Sequence, residues 1–261
     1  MSTSDAGTLV AITHVPSPNM HRAERTFVDE SDVDYELSLR QHAGYRNALE
    51  RCGAEVIVLD VNRTMPDCVF VEDTAIVLPQ LAVMMSPGAE SRRGEPAGIE
   101  PALRQFREIK RIKPPATIDG GDVVTAGRTV YVGQSPRTNA DGIRALRDTL
   151  APFGYSVMGV PVRGCLHLKT ACSALPDGRF LVNADWIDVS PLPADRLVSV
   201  PADEPWAGDV LVIESRIILA DEFPHTAELL ESFGFEPIPV TVSEFAKVEG
   251  GVTCLSLVFD A

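Results

Sequence analysis

A cysteine near the end of the sequence stands directly after a pair of glycines. The stretch GGVTCLSL covers residues 250–257 and places Cys254 between Gly250–Gly251 and a run of strand-forming residues. A free cysteine usually behaves as a small buried hydrophobe, so a core residue is the simplest interpretation. Glycines, however, let a backbone or a ligand approach closely, or supply a positive φ angle. A thiolate beside such a turn could act as a nucleophile.

The histidine in LHLKT is the second residue that could do chemistry. An imidazole with a pKa near 6.5 can protonate a leaving amine and later take a proton from water. The histidines outside this motif are His14, His21, His42 and His225, and none lies in a comparable stretch. A hydrogen-bonded core residue is the alternative for His167. Its relation to Cys254 in the repeat described next favours the catalytic interpretation.

These candidates recur at a regular spacing. Polar clusters beside β-rich runs are marked by Glu72, Asp119, His167, Asp209 and Cys254, and successive markers lie 42 to 48 residues apart. A period in the forties indicates similar units arranged around an axis or in an array. If rotation relates the units, the clusters converge, and Asp73 and Asp122 join them. The alternative is that each acidic residue simply occupies a turn.

The elements that must position these residues also repeat. Helix tails followed by a glycine and a β-rich run occur at 48–60, 149–162 and 229–242. Gly53, Gly154 and Gly234 fit the left-handed position that ends a helix. Ser31 or Asp32 is the predicted cap of the first helix, with Val33 inside it, and Thr138 or Asn139 caps another. The sequence therefore predicts an α/β fold of five ββαβ-like units around a centre.

The composition is that of a globular protein. The chain has 261 residues, of which 45% are hydrophobic and 23% charged, enough for a sizeable core. We expect no signal peptide and no membrane span, since no run of 18 apolar residues occurs. The five cysteines form no CxxC pair, which favours a reducing cytoplasm over a disulfide framework or a zinc ribbon.

The net charge of −14 argues against a nucleic-acid partner, because such a surface repels phosphates. It would attract a cationic small molecule. The alternative is that the charge only keeps the protein soluble. We also expect a homodimer, since symmetric dimers are common among soluble proteins.

Several motifs together resemble one family. FVEDTA, PGAESRRGE, DGGDV, RTNADG (137–142), LHLKT and EGGVTCLSL occur in the order found in dimethylarginine dimethylaminohydrolases. These enzymes belong to the pentein superfamily of guanidine-modifying proteins. The resemblance runs from about residue 31 to the end. It implies a single catalytic domain, 1–261, folded as a five-bladed α/β-propeller around a pseudo-fivefold axis, with 17–30 as a lid loop.

The resemblance also implies a reaction and its residues. A methylated arginine would be cleaved to citrulline and methylamine or dimethylamine through a thiouronium on Cys254, with no metal or other cofactor. Cys254, His167 and Asp119 would be catalytic. The substrate-binding residues would be Asp67, Glu72, Asp73, Arg92, Arg137 and Val248: carboxylates for the guanidinium, arginines for the α-carboxylate, and a backbone carbonyl of Val248 for the α-amine. From sequence alone, both arginines also fit surface loops.

Three features depart from the family pattern. Ser86 stands where relatives carry arginine, and Asp119 is shorter than the glutamate of some relatives. Glu24 and Arg25 stand where an apolar lid residue is expected. We expect Glu24 to pair with Arg25 or to point to solvent, which would leave a pocket for methyl groups.

Other functions stay open at this point. Arginine deimination on the same scaffold would release ammonia, and amidino transfer would need an acceptor amine. A non-catalytic binding protein would not need a reactive cysteine, so Cys254 and His167 argue against it. A Cys/His/Asp cluster could also bind zinc, although the ligands come from separate units with no short ligand pair.

Overall fold

Every strand of the protein is short, and each belongs to a sheet of three strands. The computed structural model describes residues 7–261. In chain order its strands are β1 (Leu9–His14), β2 (Glu55–Leu59), β3 (Ala75–Val77), β4 (Leu81–Met84), β5 (Glu108–Arg111), β6 (Val123–Ala126), β7 (Thr129–Gln134), β8 (Ser156–Pro161), β9 (Cys172–Ala174), β10 (Phe180–Val182), β11 (Leu197–Ser199), β12 (Leu211–Ile213), β13 (Arg216–Ala220), β14 (Glu236–Val240) and β15 (Leu257–Asp260).

The sheets share one strand order. Four are consecutive in the chain: β3-β4-β5, β6-β7-β8, β9-β10-β11 and β12-β13-β14. The fifth, β15-β1-β2, joins the two ends of the described chain. In every sheet the middle strand pairs antiparallel with the first strand and parallel with the third. The five repeated units predicted from the spacing are confirmed as five sheets.

Parallel neighbours need a crossover connection, which is usually a helix. The helices are α1 (Tyr35–Arg51), α2 (Glu95–Leu103), α3 (Ala140–Leu150), α4 (Leu168–Ala171), α5 (Pro224–Ser232) and α6 (Ser243–Ala246). α1, α2, α3 and α5 supply four of the crossovers. The link from β10 to β11 contains only a 3₁₀ turn, Ala194–Arg196, so the ββαβ prediction is wrong for that unit. Pro191 and Pro193 lack the backbone N–H groups that a helix there would need.

The predicted helix ends are partly confirmed. Gly53, Gly154 and Gly234 have φ angles of 92°, 77° and 86°, in the left-handed region that glycine adopts without strain. The cap of α3 is Asn139, one of the two predicted residues. Its side chain accepts a hydrogen bond from the backbone N of Gly142 at 2.8 Å.

The predicted cap of α1 is wrong. Asp34, rather than Ser31 or Asp32, accepts from the backbone N of Leu37 at 2.9 Å, so Val33 falls outside the helix. The backbone N of Asp34 donates to Glu244 Oε2 at 2.8 Å. This contact with a distant carboxylate selects one cap from a run of three polar candidates.

The apolar core is divided among the junctions between neighbouring sheets. Each buried cluster joins residues of two units. At one junction Tyr131 of β7 and Phe180 of β10 meet edge to face, with ring centroids 5.4 Å apart, a favoured aromatic geometry. Burial between the units therefore fixes how the sheets sit against each other. Across residues 7–261, the helices are all too short or too polar to cross a membrane.

Candidate active site

Short turns at the starts of four sheets carry most of the candidate residues. The turns are Val71–Thr74 before β3, Gly120–Asp122 before β6, α4 before β9 and Thr253–Leu255 before β15. The turns before β6 and β15 both contact the one before β3, and α4 contacts the one before β6. Sheet order therefore brings residues from distant parts of the sequence to one place.

Close packing of the turns explains one glycine of the DGGD motif. A Cβ on Gly121 would lie 2.7 Å from His167 Nδ1 and 2.8 Å from Asp73 Oδ1. Real Cβ atoms do not come this close to other heavy atoms. The backbone N of Gly121 also donates to Asp73 Oδ1 at 2.9 Å. A side chain at this position would push the imidazole and the carboxylate apart.

The glycine pair before Cys254 lets neighbouring groups come close to the backbone, which is one of the two roles predicted for it. Cβ atoms on Gly250 and Gly251 would lie 2.2 Å from Phe70 Cε1 and 2.0 Å from Asp209 Oδ2. Neither glycine has a positive φ angle; the left-handed residue here is Glu249, with φ 63°. The two glycines are thus pressed against Phe70, just ahead of β3, and against Asp209, just ahead of β12.

Cys254 is half-buried, whereas the other cysteines are buried. Its sulfur lies 3.4 Å from the backbone N of Gly251, which can donate to it. Burial raises the pKa of the Cys254 thiol well above its usual range, and the carboxylates of Asp209 and Glu72 raise it further. The thiol is therefore protonated at neutral pH until a cation comes close.

The imidazole of His167 is held between two carboxylates. Nε2 lies 3.1 Å from Asp119 Oδ2, and Nδ1 lies 3.9 Å from Asp73 Oδ1. Burial alone would lower the pKa of His167, but the charge of Asp73 and the hydrogen bond to Asp119 outweigh it and raise the pKa to about 9. His167 is consequently a proton donor at neutral pH.

Asp119 and Asp122 anchor the turn that faces His167. Asp119 Oδ1 accepts from the backbone N of Gly88 at 2.8 Å. Asp122 accepts from the hydroxyls of Ser135 and Thr138, each at 2.6 Å, and from the backbone N of Leu168 at 2.9 Å. Burial raises the pKa of Asp122 to about 6. Asp122 thereby fixes the residue that follows His167.

Arg92 makes a buried network with two carboxylates. Its guanidinium contacts Asp73 Oδ2 through Nη1 and Glu95 Oε2 at 2.7 Å through Nη2, and it donates to the carbonyl of Phe70 at 3.0 Å. Burial opposes ionisation of Asp73, but His167 and Arg92 hold its pKa down at about 2. Arg92 borders the site as predicted, yet its side chain is occupied by protein groups.

Arg137 has an available donor. Its Nη1 is buried without a hydrogen-bond partner among residues 7–261 and lies 4.0 Å from Asp119 Oδ2. An unpaired buried donor is costly. Arg137 is therefore the better placed of the two arginines to receive an anionic group.

A small cavity collects these groups. It is lined by Glu24, Asp67, Phe70, Asp73, Arg92, Arg137, Leu166, His167, Val248, Glu249, Gly250 and Cys254, and its volume is about 10 Å³. That is room for one water molecule, far less than an amino acid requires. Asp119 does not line the cavity itself, but it contacts His167, which does.

The segment 17–30 contributes Glu24 to this cavity and is tied to its wall. Beyond a 3₁₀ turn at Met20–Arg22 it has no regular structure. The backbone N of Glu24 donates to Asp67 Oδ1 at 3.2 Å, and the backbone N of Thr26 donates to Glu249 Oε2 at 2.7 Å. Asp67, expected to bind substrate, also holds this segment.

The side chain of Glu24 does not pair with Arg25, so that part of the expectation is wrong. Glu24 is exposed, lines the cavity and accepts from the hydroxyl of Ser91 at 2.5 Å. Arg25 donates instead to the backbone carbonyl of Lys247 at 3.1 Å. A carboxylate rather than an apolar side chain thus stands at the mouth of the cavity.

Glu72 lies outside the small cavity. Its Oε1 is paired with Lys169 Nζ at 2.5 Å, and burial raises its pKa although Lys169 opposes the rise. Glu72 does not share the small cavity with Cys254, but its negative charge raises the pKa of the Cys254 thiol. Glu72 and Lys169 border a separate cavity of about 300 Å³ together with residues of β3 and β6.

Ligand atoms of Asp73, Asp119 and His167 lie within 4.8 Å of one another, a spacing that a metal ion could use. His167 already contacts both carboxylates, Asp73 is paired with Arg92, and Arg137 stands 4.0 Å from Asp119. The positive charges of these two arginines oppose the binding of a metal ion beside them.

Comparison with known proteins decides the family. A family model described as N,N dimethylarginine dimethylhydrolase, eukaryotic, matches residues 17–188. The N(G),N(G)-dimethylarginine dimethylaminohydrolase of Streptomyces coelicolor is 43% identical over 248 residues, which cover 95% of each chain. The chain belongs to the dimethylarginine dimethylaminohydrolase family.

Solved structures of this family are similar over nearly the whole chain. The Pseudomonas aeruginosa enzyme, as a cysteine-to-serine mutant complexed with citrulline, is 31% identical with a TM-score of 0.89. A histidine-to-glycine dimethylarginine dimethylaminohydrolase, as an adduct with S-methyl-L-thiocitrulline, is 31% identical with a TM-score of 0.91. Each comparison covers 95% of this chain and 98% of the other.

Sequence reasoning missed three residues that shape this family member's site. Lys169 neutralises Glu72, Glu95 neutralises Arg92, and Glu249 fastens the segment 17–30. Lys169 could have been suspected, because it stands two positions after His167 in the LHLKT motif. Glu95 ends the PGAESRRGE motif and Glu249 begins EGGVTCLSL, so both also stood in motifs, although neither motif names the partner of its glutamate.

Proposed function

We propose that this protein hydrolyses Nω-methylated arginines, either asymmetric dimethylarginine or monomethylarginine, to citrulline and dimethylamine or methylamine. One observation carries the proposal. A thiol, Cys254, and an imidazole, His167, line the same small cavity as the carboxylate of Asp73. Family membership and the citrulline complex of a similar enzyme support it.

Substrate binding would activate the nucleophile. The guanidinium is held by paired hydrogen bonds to carboxylates, with Asp73 and Asp119 in that role. Its positive charge lies beside the sulfur and lowers the thiol pKa that burial had raised. Because His167 is already protonated, the proton of Cys254 passes to water, and the thiolate attacks the guanidinium carbon.

The carbon–nitrogen bond to the alkylamine then breaks. His167, which is protonated below about pH 9, gives its proton to the departing nitrogen. A thiouronium remains on Cys254. The adduct of a similar enzyme with S-methyl-L-thiocitrulline supports such a covalent intermediate.

Water completes the reaction. Neutral His167 takes a proton from water, whose oxygen attacks the thiouronium carbon. The carbon–sulfur bond breaks, citrulline forms and the thiolate of Cys254 returns. Asp119 orients His167 through the 3.1 Å contact between the two side chains.

The amino acid end of the substrate would lie towards Arg137. Its unpartnered Nη1 suits an α-carboxylate, with Arg92 adding charge from its buried network. Asp67 and the backbone carbonyl of Val248 face the same cavity and would receive the α-amine. Glu72 contributes through its charge on the far side of Cys254.

The architecture that serves this chemistry is a five-bladed α/β-propeller of the pentein type in one catalytic domain, 1–261. The common strand order of the five sheets supports this arrangement. The segment 17–30 would act as a lid, since an arginine derivative does not fit a cavity of about 10 Å³. We further infer a cytoplasmic setting from the free cysteines, a small cationic substrate from the net charge of −14, and a homodimer.

Arginine deimination is the second candidate, because Glu24 lines the cavity. A carboxylate near the reacting nitrogens would favour free N–H donors over methyl groups. The deciding experiment incubates the protein with arginine, monomethylarginine and both dimethylarginines, and measures citrulline, ammonia and alkylamine together. We expect citrulline and alkylamine in equal amounts from the methylated substrates. Citrulline with ammonia from arginine alone would favour the deiminase.

A further inference from the structure

A second, larger cavity adjoins the candidate active site. Its volume is about 260 Å³, and Glu249 and Gly250 line both cavities. The segment 249–252 therefore forms a partition, with Cys254 on one side. No group of the proposed mechanism, apart from this partition, borders the second cavity.

Most of its wall is apolar. Val28 from the lid segment faces Trp206, Ala220, Phe223, Val242 and Ala246. The lining includes no lysine, arginine or histidine. Such a wall favours methyl groups, each worth on the order of 0.8 kcal/mol when buried.

Three carboxylates complete the lining: Asp209 on the inner wall, Glu249 in the partition and Glu222 at the exposed rim. Within residues 7–261 none of the three forms an ion pair with lysine or arginine. Asp209 is only 8% exposed. Its Oδ1 accepts from the backbone N of Thr253 at 3.1 Å, while Oδ2 lies against Gly251.

Burial, and after it the charge of neighbouring carboxylates, raises the pKa values of two of the groups. Burial, followed by the charge of Glu72, raises the pKa of Asp209 to about 7. Burial and Asp221 raise the pKa of Glu222. A cation in the cavity would stabilise both carboxylates in their ionised form.

An aromatic face is also available. Trp206 is 36% exposed, and its ring packs against Trp186 with centroids 4.6 Å apart and an interplanar angle of 63°. The contact fixes a large indole at the cavity before any ligand arrives. Indole faces attract organic cations, and alkylated ammonium ions bind well to them.

We propose that this second cavity binds a small alkylammonium ion and receives the amine that the reaction releases. Apolar walls, an indole and carboxylates that form no ion pair with lysine or arginine match a methylated cation better than a metal ion or a neutral metabolite. The identity of the natural ion rests on the proposed function; the existence of the cation site does not.

A separate site for the amine has a kinetic purpose. The amine leaves as a neutral molecule with the proton from His167 on its nitrogen, and it becomes a small methylated cation by taking a second proton from water. If it stayed beside Cys254, it would compete with the next guanidinium for Asp73. Passage across the partition at Glu249–Gly250 would clear the reacting centre while citrulline is still bound.

The test measures binding rather than turnover. The probe is dimethylammonium chloride, detected by saturation-transfer NMR of its methyl signal with the full-length protein. Sodium chloride keeps the ionic strength constant. We expect saturable binding that persists when citrulline saturates the catalytic cavity and that tetramethylammonium displaces. Glu222→Gln and Trp206→Leu should each weaken binding at least fivefold.

Asp221→Asn is the matched control, since it removes the same charge one position away from the cavity lining. It should bind dimethylammonium like the wild type, and thermal unfolding should show that all variants are folded. Displacement by citrulline would place the ion in the catalytic cavity and overturn the proposal. Undiminished binding in both Glu222→Gln and Trp206→Leu, or no binding at all, would also overturn it. Absence of citrulline production with binding intact would refute only the proposed function.

Discussion

His167 Nε2 and Asp119 Oδ2 lie 3.1 Å apart, both buried, at the bottom of the candidate active site. The charge of Asp73 and this hydrogen bond to Asp119 keep the imidazole protonated, and the hydrogen bond fixes its plane. Because the pKa of His167 is raised to about 9, its imidazole is protonated in the free enzyme over the whole physiological pH range. Changing this one contact should therefore change the pH dependence before it changes the fold.

Replacement of Asp119 by asparagine should move the alkaline limb of the kcat/KM profile to lower pH. This profile reports groups of the free enzyme, and the loss of Asp119 removes one of the charges that raise the pKa of His167. We expect a shift of about one pH unit together with lower turnover. Asp119→Glu keeps the charge and should retain the wild-type limb. A limb that does not move in Asp119→Asn would mean that another group sets it.

The same histidine should make stability depend on pH. The pKa of His167 is higher in the folded protein than the value of about 6.5 in an unfolded chain, so its contribution is complete below that value and is lost as pH rises through about 9. Between pH 7 and 8.5 the loss of this contribution should lower the free energy of unfolding by about 1.4 kcal/mol per pH unit. Urea unfolding of wild type and His167→Asn at several pH values measures the difference. Equal slopes would contradict the raised pKa.

Cys254→Ser should abolish turnover and leave the fold intact. Serine has nearly the same shape but rarely ionises, so the nucleophile is lost while packing is kept. Activity should fall far more than tenfold, which corresponds to about 1.4 kcal/mol in the barrier. Cys52→Ser, at a buried thiol outside the site, is the control and should stay active. Turnover of Cys254→Ser within tenfold of the wild type would exclude this cysteine as the nucleophile.

His167→Gly should trap the covalent intermediate. With an arginine analogue whose leaving group is a thiol, departure needs no acid, whereas hydrolysis still needs a base. Mass spectrometry of the intact protein should show the added mass, and peptide mapping should place it on Cys254. The double variant His167→Gly, Cys254→Ser should show none. Finding the mass on Cys165 or Cys172 would identify a different thiol.

Substrate preference tests the position of Glu24. Two buried methyl groups contribute about 0.8 kcal/mol each, enough to favour dimethylarginine over arginine by about tenfold. Ser91 holds the Glu24 carboxylate, so we expect the wild-type ratio of kcat/KM for the two substrates to exceed one. Glu24→Leu should raise the ratio, and Ser91→Ala, which frees Glu24, should lower it. A wild-type ratio below one would argue against the methylated substrate but not against the cysteine mechanism.

The repeating units could be predicted because each carries its own local signals. Gly53, Gly154 and Gly234 end helices wherever the pattern recurs, and the spacing of polar clusters follows from sheets of equal size. The missing crossover helix before β11 shows where such reasoning is weakest. There Pro191 and Pro193 override a period that the other four units keep.

The site residues were predictable as a set, but their partners were not. The turns preceding β3, β6 and β15 bring Asp73, Asp119 and Cys254 together, which a repeat can anticipate. The pairing of Arg92 with Asp73 and the contact of Asp34 with Glu244 join elements that are distant in the sequence. Such contacts leave no periodic trace in a sequence, because each is made once.

The sheet formed by β15, β1 and β2 has a consequence for synthesis on the ribosome. β1 is translated long before its partner β15, so its open edge must wait for nearly the whole chain to emerge. Cys254 lies just ahead of β15, in a turn that is placed only when this sheet closes. A nascent chain that has already formed its other sheets therefore still lacks a positioned Cys254, and competence to react should appear in a single step when β15 pairs with β1.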